Sequence, residues 1–204
     1  MRIQIHPEHP EPHKIRQAVE ALRHGGVIAY PTDSTYGLGC DAFQKKAIDQ
    51  LYRIKQLAKD HPLTLLCPDL SQIAKYAVVD NQSYRLMRRL VPGPYVFVLS
   101  ATKEVPKLLM RKRRTVGIRV PDHPVVHALL AEYGGPLVST SASYQGDILR
   151  DPAEIAARFP AVAEILDVEL GGMHPSTIVD LTSDVPAILR EGAGDIEAVL
   201  GSIQ

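Results

Sequence analysis

Three groups of hydroxyl side chains carry most of the chemistry this sequence offers: Thr32, Ser34 and Thr35; Ser139, Thr140, Ser141 and Ser143; and Ser176 with Thr177. Each group borders a short apolar run, and single cations, Lys55, Arg119 and Arg190, stand near other such runs. Hydroxyls and backbone amides can ring phosphate oxygens while lysine neutralises them as a point charge and arginine grips them with two parallel hydrogen bonds. One Ser/Thr group after a strand is ordinary turn chemistry. Three groups with three cations describe a cradle for a polyanion. Neither G-x-x-x-x-G-K-[ST] nor G-x-G-x-x-G occurs, so the two familiar phosphate-binding loops are excluded. His6, His9 and His13 lie among prolines on an extended segment without ligand spacing, so no metal site is expected.

The elements that must position these groups follow from periodicity. Ile15, Ala18, Val19 and Leu22 share a helical face over Lys14 to His24, and Gly25-Gly26 supplies the stop. The apolar run from Val27 reads as a buried strand, and "YPTDSTYGLG", Tyr30 to Gly39, as the loop leaving its carboxyl end, where open α/β sheets bind ligands. Gln44 to Leu57 is a helix with Ile48, Leu51, Tyr52 and Lys55 on one stripe, which aims the lysine into the site. A strand at Thr64 to Cys67 precedes two helices, Leu70 to Ala77 behind an Asp69 cap and Asn81 to Val91. Strands follow at Tyr95 to Ser100 and Thr115 to Val120. The second places Val116, Ile118 and Val120 on one face and Gly117 with Arg119 on the other.

Asp122 and Pro124 start a helix, a strand begins at Leu137 to Ser139, and a helix follows Asp151. "STIVDL" and "AILREG" read as an antiparallel hairpin. Interleaved helices and strands followed by a late hairpin predict an α+β fold: one three-layer domain over residues 1–204 with one twisted mixed sheet flanked by helices, pure α/β being the alternative.

Lysine plus arginine and aspartate plus glutamate both total 23, so no global field favours nucleic acid. Basic character is local, in Arg85, Arg88 and Arg89 and in the run Arg111-Lys112-Arg113-Arg114. Apolar runs fall short of a membrane span and no charged-then-apolar leader is present, so a cytoplasmic protein is expected. Cys40 and Cys67 form no C-x-x-C pair and read as reduced, buried thiols.

Six ordered pieces, "GGVIAYPTDSTYGLGCDA", "IKQLAKDHPLTLL", "VPGPYVFVL", "TVGIRVPDHPVVHALL", "PLVSTSAS" and "PSTIVDLT" with "ILREGAGD", resemble the YrdC/YciO family from about Gly25 to Asp195. The "IHP" start and the length are most similar to its YciO branch. The resemblance implies a concave, positively charged sheet surface and, for the best understood branch, L-threonylcarbamoyladenylate synthesis. That reaction joins L-threonine, bicarbonate and ATP with Mg2+, releases pyrophosphate, and serves threonylcarbamoyladenosine formation in transfer RNA. By the same similarity Thr32, Thr35, His61, Arg119 and Ser176 would hold threonine and its carbamate, and Lys55, Ser139, Ser141 and Arg190 would meet ATP or AMP. The enzyme would position and neutralise anions without a covalent nucleophile, so no residue is assigned as catalytic. Asp33 stands where the family's "P-T-E-T" has glutamate. The synthases' K-x-R and S-x-N signatures read Lys55-Gln56-Leu57 and Ser141-Ala142-Ser143 here, which implies weak or altered synthesis. The family also resembles double-stranded RNA binders, for which Arg85, Arg88, Arg89, Arg111, Lys112, Arg113 and Arg114 would track phosphates.

Overall fold

The amino-terminal third alternates short strands with amphipathic helices whose ends are marked in the sequence. The computed structural model describes residues 1–58, 60–110 and 114–201. Strand β1 (Arg2–Gln4) leads into α1 (Pro12–Arg23), which begins at a proline, buries Ile15, Ala18, Val19 and Leu22, and stops before Gly25 at φ +80°. β2 (Ile28–Tyr30) and β3 (Gly37–Asp41) form an antiparallel hairpin, and α2 (Lys45–Ile54) returns the chain to β4 (Thr64–Leu66). α3 (Leu70–Tyr76) and α4 (Asn81–Leu90) are capped by the Asp69 and Asp80 carboxylates, which accept from Gln72 N and Ser83 N.

β5 (Tyr95–Ser100), β6 (Thr115–Arg119), α5 (Pro124–Tyr133) and β7 (Leu137–Ser141) complete the centre. A two-stranded flap, β8 (Ser143–Tyr144) with β9 (Asp147–Ile148), precedes α6 (Pro152–Arg158) and β10 (Glu164–Asp167). The hairpin β11 (Thr177–Asp180) and β12 (Ala187–Arg190) and the short α7 (Ile196–Leu200) end the fold.

Ten strands form one sheet in the order β1-β10-β2-β3-β7-β4-β6-β5-β11-β12, with parallel and antiparallel pairs intermixed. Side-chain alternation divides the interior into two layers. Ala29, Leu38, Leu65, Phe97, Ile118 and Val138 face one way and pack with α2, α3, α4, α6 and α7. Ile28, Tyr30, Leu66, Leu137 and Leu166 face the other way, against α1 and α5. The expected three-layer mixed fold with an antiparallel β11–β12 hairpin is therefore present.

Three readings are corrected. The stretch after Tyr30 is a loop only over residues 31–36, because Gly37–Asp41 pairs with β2. Its glycines let the Tyr30 ring lie on the strand, where a Cβ at Gly39 would stand 2.5 Å from the Tyr30 hydroxyl. The cap of α5 is His123, whose Nδ1 accepts from Val125 N at 3.2 Å, in place of Asp122. β10, which joins β1 to β2, is an addition to the expected elements. No helix among the described residues is long and apolar enough to cross a membrane. Cys40 and Cys67 are free and buried, and burial pushes the Cys67 thiol up to about 12.

Candidate functional site

Arg119 ends β6 on the face opposite Ile118 and is 6 % exposed. Its Nη1 donates to Ser34 Oγ at 2.9 Å and Ser176 Oγ at 2.6 Å, and its Nη2 to Thr32 Oγ1 at 3.4 Å and the Asp33 carboxylate. Its Nε donates to the Gly93 carbonyl at 3.4 Å. Two loops meet on this guanidinium, residues 31–36 after β2 and residues 168–176 before β11. They touch closely elsewhere: Ser34 Oγ and Ser176 Oγ are 3.3 Å apart, and a Cβ at Gly172 would fall 1.8 Å from the Ser34 carbonyl. Tyr36 clamps the pair by donating to the Glu169 carbonyl at 3.1 Å and accepting from Val168 N at 3.1 Å. Burial draws the Arg119 pKa down, and the charge and hydrogen bond of Asp33 oppose that shift.

Strand register sets what lies beside this hub. Arg119, Leu66 and Val96 share one cross-strand row with Ile178 and Arg190, and Thr64, Ser139, Gly117, Val98 and Asp180 share the next. Arg190 is exposed and donates from Nε and Nη2 to the Ser176 carbonyl at 3.1 and 2.7 Å. Partial burial and the neighbouring Arg119 charge both lower its pKa. Ser139 is buried and accepts from the Tyr30 hydroxyl at 2.7 Å, while Ser141 is half-buried at the end of β7. The groups on one face thus comprise hydroxyls, two guanidiniums and the carboxylates of Asp33 and Asp180.

Lys55 is the C-cap of α2, which ends at Ile54 and not at Leu57, and its Nζ donates to the carbonyl of Ser143 and, at 3.0 Å, to Ser143 Oγ, 5.4 Å from the Phe159 ring centroid. Burial lowers its pKa to about 8. Leu57 is half-buried against the core on the α2 side, so the position of the missing arginine contributes to packing. His61 is exposed before β4, and its carbonyl accepts the Tyr52 hydroxyl at 2.7 Å. Thr35 is buried, and its carbonyl accepts from Thr32 Oγ1 at 2.6 Å.

Arg85, Arg88 and Arg89 are exposed on α4, in the layer opposite the hub, and Arg114 is exposed before β6. Arg111, Lys112 and Arg113 lie outside the described residues. Asp33 and His123 are members of the neighbourhood that side-chain spacing did not single out. Burial lowers the His123 pKa, and the Asp33 charge opposes it. The signal for Asp33 was its place inside the hydroxyl-rich stretch. Among the described residues no group of three or more His, Cys, Asp or Glu is arranged to hold a metal ion.

The Sua5/YciO/YrdC family model, described as "Telomere recombination", matches residues 20–192. The chain belongs to the Sua5/YciO/YrdC family. The uncharacterized protein YciO of Escherichia coli K12 is 46 % identical over 201 residues, covering 96 % of this chain and 97 % of that one. Its crystal structure superposes with a TM-score of 0.94 at 45 % identity, covering 98 % of both chains. A threonylcarbamoyl-AMP synthase of Vibrio vulnificus is 37 % identical over 184 residues, 87 % of this chain and 98 % of its own. P. abyssi Sua5 complexed with L-threonine matches with a TM-score of 0.91 at 28 % identity, covering 99 % of this chain and 61 % of that chain. The Sua5/YciO/YrdC fold is thereby common to this chain, a YciO and a threonine-bound Sua5.

Proposed function

We propose that this chain binds L-threonine and an adenine nucleotide on the face that carries Arg119 and Arg190, and forms threonylcarbamoyl-AMP slowly from threonine, bicarbonate and Mg2+-ATP. The product would feed threonylcarbamoyladenosine formation in transfer RNA. One observation carries the reading: a buried arginine orders Thr32, Ser34 and Ser176 from two loops beside a second, exposed arginine. The threonine-bound Sua5 and the synthase relatives support it.

The reaction needs threonine carbamate to attack the α-phosphorus of ATP while pyrophosphate leaves, so positioning and charge neutralisation supply the rate. In this reading the loop hydroxyls orient the amino acid, Arg190 faces the phosphates, and Ser139 and Ser141 line the nucleotide. Slow turnover follows from Lys55, whose ammonium is engaged by Ser143, and from Leu57, which offers no charge. The test is pyrophosphate release from ATP with threonine and bicarbonate added singly and together. Release that needs both supports the reading, and release indifferent to threonine sinks it.

A second reading, binding of duplex RNA, is favoured by Tyr84, Arg85, Arg88 and Arg89, all exposed along α4. Such binding would be insensitive to sequence. Replacing the three arginines with alanine should reduce the salt dependence of affinity by roughly one unit of slope per lost phosphate contact. An unchanged slope would remove α4 from consideration.

A further inference from the structure

Val96 and Val98 are 7 % and 6 % exposed, yet neither joins either core cluster. They point away from Phe97, toward the face that carries Arg119. Between their rows lies Gly117, half-exposed, where a Cβ would stand 3.2 Å from Val96 Cγ1 and 3.9 Å from Thr64 Oγ1. Ile178, in the row of Val96, also belongs to neither cluster. The centre of this face is therefore a small aliphatic floor with bare backbone in its middle. Hydroxyls of Thr64 and Ser139 stand to one side and Arg190 to the other.

We propose that Gly117 is the specificity-determining residue of this face. With Val96 and Val98 it leaves a flat apolar floor on which the planar base of the adenine nucleotide lies. A base presents a weakly hydrated face that gains dispersion contact at about 3.5–4.0 Å, and a side chain rising from the middle of the floor would hold it off. The aliphatic floor suits the ring, and the cation and hydroxyls at its margins suit the ribose and phosphates. The inference rests on the nucleotide reading given above. The competing account is that Gly117 is needed only because a Cβ would crowd Val96.

The experiment separates these by titrating ATP and, separately, L-threonine into four proteins: native, Gly117→Val, Val96→Ala, and the pair Gly117→Ala with Val96→Ala. Thermal melts accompany each. In the pair, the methyl gained at 117 occupies space released at 96, so its melting temperature should stay near that of Val96→Ala. The expected result is that each Gly117 variant binds ATP about tenfold or more weaker than its own background, Gly117→Val against native and the pair against Val96→Ala, as overpacking losses translate into affinity. Threonine affinity should hold in every folded variant. ATP affinity in the pair equal to that of Val96→Ala would overturn the proposal, leaving Gly117 a packing glycine. Loss of threonine binding in place of ATP binding would overturn it as well, by assigning the floor to the amino acid. Native protein that binds no adenine nucleotide would instead refute the underlying functional reading, a result distinct from a native protein that binds and variants that bind equally.

Discussion

Arg119 directs all of its N–H groups at protein acceptors: Gly93 O, Ser34 Oγ, Ser176 Oγ, Thr32 Oγ1 and the Asp33 carboxylate. A guanidinium so placed orders two loops, and its charge is balanced mainly by Asp33. Arg119→Ala should leave the half-buried Asp33 carboxylate without its partner and cost about 3–5 kcal/mol, the usual penalty for breaking a buried pair, read by urea unfolding. Arg119→Lys retains the charge without the planar fork and should recover only part of the loss. Lys55 gives a pH signature. Its native ammonium titrates near 8 while the unfolded one keeps its ordinary value of 10.5, so between those values the unfolded chain holds more protons. Stability from this group accordingly rises with pH across that window and carries its full desolvation penalty below pH 8. Lys55→Gln should flatten that rise in unfolding free energy between pH 8 and 10.5, and an equal rise in the variant would show that another group governs it.

Element ends follow local rules here. Asp69, Asp80, Asp151 and Asp195 each cap a helix by accepting a backbone N–H from its first turn. Asp80→Ala should cost about 1 kcal/mol of unfolding free energy and leave ligand affinity unchanged, since α4 packs in the layer opposite the hub. The helices α1 to α6 were readable because a 3.6-residue apolar stripe between a cap and a stop is local information, whereas the five-residue α7 is too short to show one. β5 was readable for a similar reason, as a run of Val, Phe and Leu. β3 was not, because Gly37-Leu38-Gly39 has poor strand propensity and is held by pairing with β2 and β7 and by the Tyr30 ring. The α5 cap was misplaced by one residue because His123 is a rarer cap than aspartate, and only its ring orientation makes it one.

The assembled molecule brings together on one face groups that are far apart in the chain: the loop after β2, the end of β6, and the segment between β10 and β12. A ligand bridging them binds only the folded state, so ATP with threonine at about 100 times Kd should stabilise the protein by about 2.7 kcal/mol, seen as a rise in melting temperature. Arg190→Ala should weaken ATP roughly ten- to hundredfold, the loss typical of one charge-assisted contact, and reduce the rise accordingly. An undiminished rise would exclude Arg190 from the site. Composition, apolar periodicity and capping residues were enough for six of the helices, most strands, the mixed sheet and the inventory of hydroxyls and cations, because each depends on neighbours within a few positions. Pairing and contact depended on the fold. Arg119 is saturated by Thr32, Asp33, Ser34 and Ser176, Lys55 is held by Ser143, and Gly117 lies bare between valines of β5. Those relations join residues tens of positions apart, and strand order and register, which no local pattern encodes, bring them within hydrogen-bond distance.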